Sequence, residues 1–246
     1  MDLGASLTIV TDHEAWLDAA SQMVVDAART AIGERGRFVF GLSGGSTPTA
    51  LYERLARSDQ VGRIDWSSVV IVFGDERCVP PDAPASNYAM ARRTLLDHVP
   101  IPSAQVHRME GELAPADGAQ RYHEVLVGLG SDPSKPPSID LLLLGLGDNA
   151  HTASLFPGLS WRARLDELVI DEYVEVQQQW RLTVTPRLIA AARSVLFLVE
   201  GTAKAAPVAA VLKGTLDHIQ APARAVLEAT PTRWLLDEAA ASELDR

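Results

Sequence analysis

A chain of 246 residues, 47% of them apolar, can bury a substantial core and suits one large α/β domain or two small ones. Its formal net charge of −10 sets it against the phosphates of nucleic acids and against anionic membranes, so an anionic ligand would need a locally basic site. The single cysteine, Cys78, excludes an intrachain disulfide and a multi-cysteine zinc site, no apolar run reaches membrane-spanning length, and "MDLGASLTIVTDHEAW" lacks a basic-then-apolar leader; a soluble, cytoplasmic protein is expected.

The elements alternate along the chain. "LTIV" reads as a strand. "DHEAWLDAASQMVVDAARTAIGERG" reads as an amphipathic helix with Trp16, Ala20, Val24, Ala27 and Ala31 on its apolar face, ended by Gly33 or Gly36. Strand "RFVFGLS" leads into helix "TPTALYERLAR", whose Pro48 stands near the first turn, where a missing N–H costs nothing. Strand "SSVVIVFGDE" is followed by helix "SNYAMARRTLLDHV", capped by Ser86 or Asn87. A short strand "QVHRM", helix "PADGAQRYHEVLVGL" and strand "IDLLLLGLG" come next, with a surface loop, "GLGSDPSKPPS" (128–138), before the last. "YVEVQQ" and "RLTVT" read as strands, then strand "SVLFLVEG", helix "AKAAPVAAVLKG", a last strand "RAVL" and a terminal helix "TPTRWLLDEAAASEL".

The runs "VVIVF", "DLLLL" and "SVLFLV" are apolar without alternation, which marks parallel strands covered on both faces. The expected fold is α/β: one domain over 1–246 built on an open, doubly wound, mostly parallel, Rossmann-like sheet with helices on both faces. Four polar motifs each follow a buried strand: "GLSGGSTP" (41–48), "GDERCVP" (74–80), "GLGDNAHTAS" (145–154) and "EGTAK" (200–204). In such a sheet the carboxyl ends of the strands lie along one edge, where ligands bind, so four segments remote in sequence should meet in one cleft.

Each motif has a chemistry. Gly44 and Gly45 can turn backbone N–H groups inward, and Ser46 or Thr47 would cap the next helix, whose N-terminus favours an anion; the same residues could also form a simple capped turn. The segment is not a P-loop, since no Lys follows the glycines. It does spell G-x-S-x-G with Ser43 as a possible nucleophile, but the one late histidine, His218, precedes the last expected strand instead of following it. "GLGDNA" matches a dinucleotide fingerprint, yet Pro157 and Gly158 would stop its helix and no acid ends the next strand. His151, beside Asp148 and Asn149, is a candidate general base. Asp75, Glu76 and Arg77 form either an ion-paired loop or a contact to an anion through Arg77. Lys204 opens a helix, where a cation opposes the dipole unless an anion is bound; Arg181 is a candidate of the same kind, and Asn87 is a cap or a ligand. Cys78 has no paired histidine base in the sequence pattern, and the histidines lack metal-ligand spacing, so no metal is expected.

Together these segments resemble the 6-phosphogluconolactonase family. The resemblance is carried by "GLSGGSTPTALYERL", "FGDERCVPPDAPASNYAMAR", "LLLLGLGDNAHTASLFPG", "RLTVTPRLIAAARSVLFLVEGTAKA" and "PARAVL". "HTASLFP" (151–157) separates this family from the related glucosamine-6-phosphate deaminases, which carry His-Ile-Ala-Phe-Asn-Glu-Pro there. The family's Asp-Gly before the histidine stands here as Asn149 and Ala150. The resemblance implies hydrolysis of 6-phospho-D-glucono-1,5-lactone to 6-phosphogluconate, in the oxidative branch of the pentose phosphate pathway, without metal or organic cofactor. It implies His151 as the base, with Asn149 and Arg77 beside the reaction. Ser43, Gly44, Gly45, Ser46, Thr47, Asp75, Asn87, Arg181 and Lys204 would surround the sugar phosphate, with Arg77 facing either its phosphate or its sugar end. A small-molecule partner and a monomer are expected. A sugar-phosphate deaminase or isomerase, and a non-catalytic sugar-phosphate sensor, stand as the alternatives.

Overall fold

The computed structural model describes residues 4–132 and 134–244; residues 1–3, 133 and 245–246, and with them the tip of the expected 128–138 loop and the start of the N-terminal segment, lie outside it. Six parallel strands form the main sheet: β1 (Ala5–Val10), β2 (Phe38–Leu42), β3 (Val69–Phe73), β5 (Leu141–Leu144), β8 (Val195–Val199) and β9 (Thr232–Asp237). Their order is β1-β9-β8-β5-β2-β3. The chain runs outward from β2 to β3, then returns to place β5 on the other side of β2. The strand order therefore reverses between β2 and β5, and a crevice opens at their carboxyl ends.

Every residue of β2, β3, β5 and β8 is buried, as their unbroken apolar runs require. Helices α1 (His13–Arg35), α2 (Ser46–Ala56), α3 (Asn87–Ala91), α4 (Pro115–Leu129), α5 (Pro186–Ala190), α6 (Ala205–Lys213), α7 (Pro222–Ala229) and α8 (Glu238–Ala241) surround the strands. Asp12 caps α1 through the Ala15 N–H, and Gly36, at φ 71°, ends it in a left-handed turn that favours glycine. Within the core, Phe197 and Trp234 are paired in register across β8 and β9 and stack with ring centroids 4.1 Å apart. No helix among the described residues is long and apolar enough to cross a membrane.

A three-stranded antiparallel sheet, β4-β7-β6, stands beside the main one: β4 (Asp75–Arg77), β6 (Val169–Val174) and β7 (Gln179–Val184). The run "VVIVFGDE" thus serves two sheets. Gly74 is the junction: its N–H donates to Leu42 O at the end of β2, and its carbonyl accepts from Val184 N in β7, both at 2.9 Å.

Several expected elements differ. "RAVL" lies in α7, not in a strand: Pro222, Ala223, Val226 and Leu227 are buried at helical spacing, and Pro222 in the first turn fixes φ. The helix ends where Thr230, ahead of Pro231, turns extended. "TRWLLD" is strand β9, buried between β1 and β8, and only Glu238–Ala241 after it is helical. "QVHRM" forms no strand; Val106 makes a single bridge to Ile71. The helix after Ser86 is α-helical only to Ala91 and continues as a π-turn over Arg92–Leu96.

Candidate active site

A cleft of about 280 Å³ opens at the switch point. Its walls come from all four motifs: Ser43, Gly44 and Gly45 after β2, Asp75 and Arg77 after β3, Gly145–Asp148 and His151–Ala153 after β5, and Lys204 after β8, while Asn149 lines a neighbouring depression behind His151. Asn87 and Arg181 complete it. Ser46 and Thr47 are not in its lining. They border a separate depression with His13, Glu200 and Asp237, and neither caps α2. The cap position belongs to Gly45, at φ 107°, a conformation closed to a side chain, so this helix can offer an anion its backbone N–H groups alone.

His151 sits on the wall next to β5. Its ring stacks on Phe156 at 4.1 Å. Asn149 Oδ1 lies 2.5 Å from His151 Nδ1 and 3.3 Å from the His151 backbone N. An atom approached by two donors is the amide oxygen, so the imidazole proton belongs on Nδ1 and Nε2 keeps its lone pair. Burial pushes the imidazole down to about 4, with Asp75 opposing and Arg181 and Lys204 assisting, so the ring is neutral at pH 7. The turn beneath is tight. Gly147 N donates to His151 O at 2.8 Å, and a Cβ on Gly147 would stand 2.0 Å from the imidazole. Ala150 holds a left-handed φ of 59° that a glycine would adopt without strain, and its carbonyl accepts from Ala223 N at the start of α7.

The opposite wall is a network of buried polar groups. Asp75 accepts from Ser154 Oγ at 2.7 Å and from Asn87 Nδ2 at 3.2 Å. Arg77 donates to Asn87 Oδ1 and to Ala85 O. Asn87 in turn packs on Gly44 so closely that a Cβ there would lie 1.9 Å from Asn87 Oδ1. Arg77 and Arg181 are register partners across β4 and β7, an unfavourable pairing of like charges that an anion between them would relieve. Arg181 is buried; it bonds Gln177 Oε1, lies 3.9 Å from Asp75, and its Nε has no partner. Lys204 pairs with Asp148 Oδ1 at the exposed rim.

Glu76 does not belong to an ion-paired loop. It is buried and accepts from the backbone N–H groups of Arg77, Asn87 and Tyr88 and from Ser86 Oγ, tying β4 to the start of α3, which Ser86 caps. Ser43 is bonded by no histidine; its backbone N and O are clasped by Tyr52 Oη, each at 2.9 Å. His218 pairs with Glu228 outside the cleft, which leaves the nucleophile-elbow arrangement unassembled. No helix follows "GLGDNA" directly, so a dinucleotide turn is absent there too. Burial, with Asp171 and Glu76 nearby, pushes the Cys78 thiol up to about 11, where it is not nucleophilic at neutral pH. Among the described residues no three His, Cys, Asp or Glu side chains gather as a metal site.

The sequence pattern did not reveal Tyr52, Ser154, Phe156 or Thr183, whose Oγ1 accepts from Ser154 N. Phe156 and Ser154 lie within the "HTASLFP" segment, but only contact with His151 and Asp75 shows what they do.

The fold recurs in known proteins. The chain is 36% identical over 241 residues to the 6-phosphogluconolactonase of Nostoc sp., covering 97% of this chain and 98% of that one. It superposes on the solved 6-phosphogluconolactonase of Trypanosoma brucei with a TM-score of 0.84 and 27% identity, over 98% of each chain. A monomeric glucosamine-6-phosphate deaminase shares the fold at TM-score 0.81 and 23% identity, over 97% of this chain and 99% of that one. A sequence model of the glucosamine-6-phosphate isomerases/6-phosphogluconolactonase family matches residues 11–234, and the chain belongs to that family.

Proposed function

We propose that this chain is a 6-phosphogluconolactonase, hydrolysing 6-phospho-D-glucono-1,5-lactone to 6-phosphogluconate with His151 as the base. The observation that carries the mechanism is the 2.5 Å contact of Asn149 Oδ1 with His151 Nδ1, which leaves Nε2 to accept a proton, at the wall of a cleft holding three cations. The substrate's phosphate lies against the glycine turn at Ser43–Gly45, the open N-terminus of α2 and Lys204. His151 Nε2 accepts a proton from water as the water oxygen bonds to the lactone carbonyl carbon. The oxyanion that forms faces Arg181, whose burial strengthens its interaction with new negative charge. The bond from that carbon to the ring oxygen then breaks, and the imidazolium returns its proton to the departing oxygen. The enzyme acts on a diffusible sugar phosphate in the cytoplasm, within the pentose phosphate pathway, and its residues need no cofactor for these steps.

His151→Ala tests this reading. With freshly generated lactone, and spontaneous hydrolysis subtracted, kcat should fall by roughly 100-fold or more, the usual size of a general-base contribution, with KM little changed. Near-normal kcat would remove His151 from the chemistry. Ammonia release by the wild type from glucosamine 6-phosphate would instead favour the deaminase activity found on the same fold.

A further inference from the structure

The cations of the cleft are already occupied by the chain itself, but not in the same way. Arg77 donates to a backbone carbonyl and to the Asn87 amide oxygen. Arg181 is itself buried in β7, where it bonds the side chain of Gln177 and lies 3.9 Å from the buried Asp75. Lys204 alone of the three is held by a carboxylate at the rim: its Nζ meets Asp148 Oδ1, and the Asp148 side chain is 80% exposed while that of Lys204 is 26% exposed. Both residues line the cleft, and Asp148 sits in the turn that carries His151. A phosphate dianion and Asp148 therefore present the same chemistry, an anionic oxygen acceptor, to the same ammonium.

We infer that Asp148 is an internal competitor for Lys204: it occupies the ammonium when the cleft is empty, gives way to the phosphate of the substrate, and returns as the product leaves. The inference rests on the reading of Lys204 as a phosphate contact. Two consequences follow from charge alone. Each binding event breaks one ion pair, and the displaced carboxylate then faces a dianion within the same cleft. Hydrolysis adds a further negative charge to the ligand, because the neutral lactone becomes a carboxylic acid that releases its proton to water, leaving a carboxylate beside His151 and three residues from Asp148. Repulsion therefore rises at the moment the product forms. Asp148 lowers affinity for the phosphorylated ligand and hastens clearance of the product.

Asp148→Asn keeps the shape of the side chain and removes its charge, and the exposed position makes misfolding an unsuitable explanation for any effect. The dissociation constant of 6-phosphogluconate is measured by calorimetry for the wild type, Asp148→Asn, Lys204→Ala and the double variant, at low and at high ionic strength. Asp148→Asn should bind on the order of three- to tenfold more tightly at low salt, the range expected from losing an exposed pair and a like charge, and its dissociation should slow. The gain should shrink at high salt and vanish when Lys204 is already alanine. If Lys204→Ala weakens binding but Asp148→Asn does not tighten it, or if the gain persists without Lys204, the competition is overturned while the phosphate role of Lys204 stands. If Lys204→Ala binds as the wild type does, or the wild type does not bind 6-phosphogluconate, the phosphate role fails and the competition with it.

Discussion

At the residue scale the departures Asn149 and Ala150 matter most. Asn149 makes the bond to His151 Nδ1 that a carboxylate could also make, so the orientation of the ring survives without the charge. The imidazole is held near 4 by burial, and no adjacent carboxylate on its own turn bonds it, since Asp148 is turned toward Lys204. Only the neutral ring can accept a proton from water, so kcat/KM should be lost as pH falls through the free-enzyme value, near 4. Asn149→Asp should stabilise the imidazolium, raise the histidine value, and move the acidic limb of kcat/KM upward by about one pH unit or more. The plateau should rise as well if the carboxylate also steadies the imidazolium formed during water attack. A pH profile of the variant with an unmoved acidic limb would show the two side chains to be uncoupled in catalysis. The lining of the cleft was largely legible at this scale because Asp75, Arg77, His151 and Lys204 each lie in the polar motif that follows a buried strand. The pairing of Asp148 with Lys204, 56 residues apart, was not, because nothing local in either segment specifies it.

At the scale of elements, short pieces of secondary structure carry the wall of the cleft. β4 has three residues and α3 five, too few to hold themselves by propensity. Glu76 joins them with four accepted hydrogen bonds, and buried hydroxyls do similar work elsewhere: Tyr52 Oη clips the end of β2, and Tyr122 Oη donates to Phe73 O and accepts from Phe73 N at the end of β3. Glu76→Ala leaves the Asn87 and Tyr88 N–H groups without acceptors in a buried setting. It should cost about 2–4 kcal/mol, read as a lower urea midpoint, and should loosen Arg77 and Asn87 enough to raise KM. An unchanged midpoint would mean that water replaces the carboxylate. Sequence reading erred on α7 and β9 for a related reason. Short segments such as "RAVL", with three apolar residues, fit either period, and the arbiter was the space available: β9 fills the gap between β1 and β8, and α7 packs against α5 and α6.

Over the whole molecule, stability and function meet in the half-buried imidazole of His151. In the unfolded chain His151 has its ordinary value near 6.5, while in the folded chain it is depressed to about 4. Between those values the unfolded state binds more protons, so stability should fall as pH drops from about 6.5 toward 4, and this contribution is fully present above 6.5. Burial also pushes the Glu76 carboxyl up, a change of the opposite sense, so the comparison must be made with a variant and not on the wild type alone. His151→Gln should show a smaller fall in Tm between pH 7 and pH 4.5 than the wild type does. Parallel pH–Tm curves would indicate that the ring is solvated when protonated and exerts no cost on the fold. In a chain of net charge −10, the three cleft cations place positive charge at the switch point, where it can attract a sugar phosphate.

The parallel sheet and the edge on which the cleft lies were readable from the order of residues, because unbroken apolar strands need cover on both faces and their carboxyl ends must then share one side. So was the convergence of the four motifs. Folding in three dimensions fixed what local pattern cannot encode. Gly74 divides one apolar run between two sheets because its two backbone groups bond to different strands. Ser46 and Thr47 face another depression because Gly45, at φ 107°, takes the cap and rotates the helix start away. Asn149 takes His151 and Asp148 takes Lys204, and the two adjacent side chains face different depressions, Asp148 the cleft and Asn149 its neighbour. Each of these outcomes depends on which groups remain unpaired once the core has closed, and that is a property of contacts between distant segments.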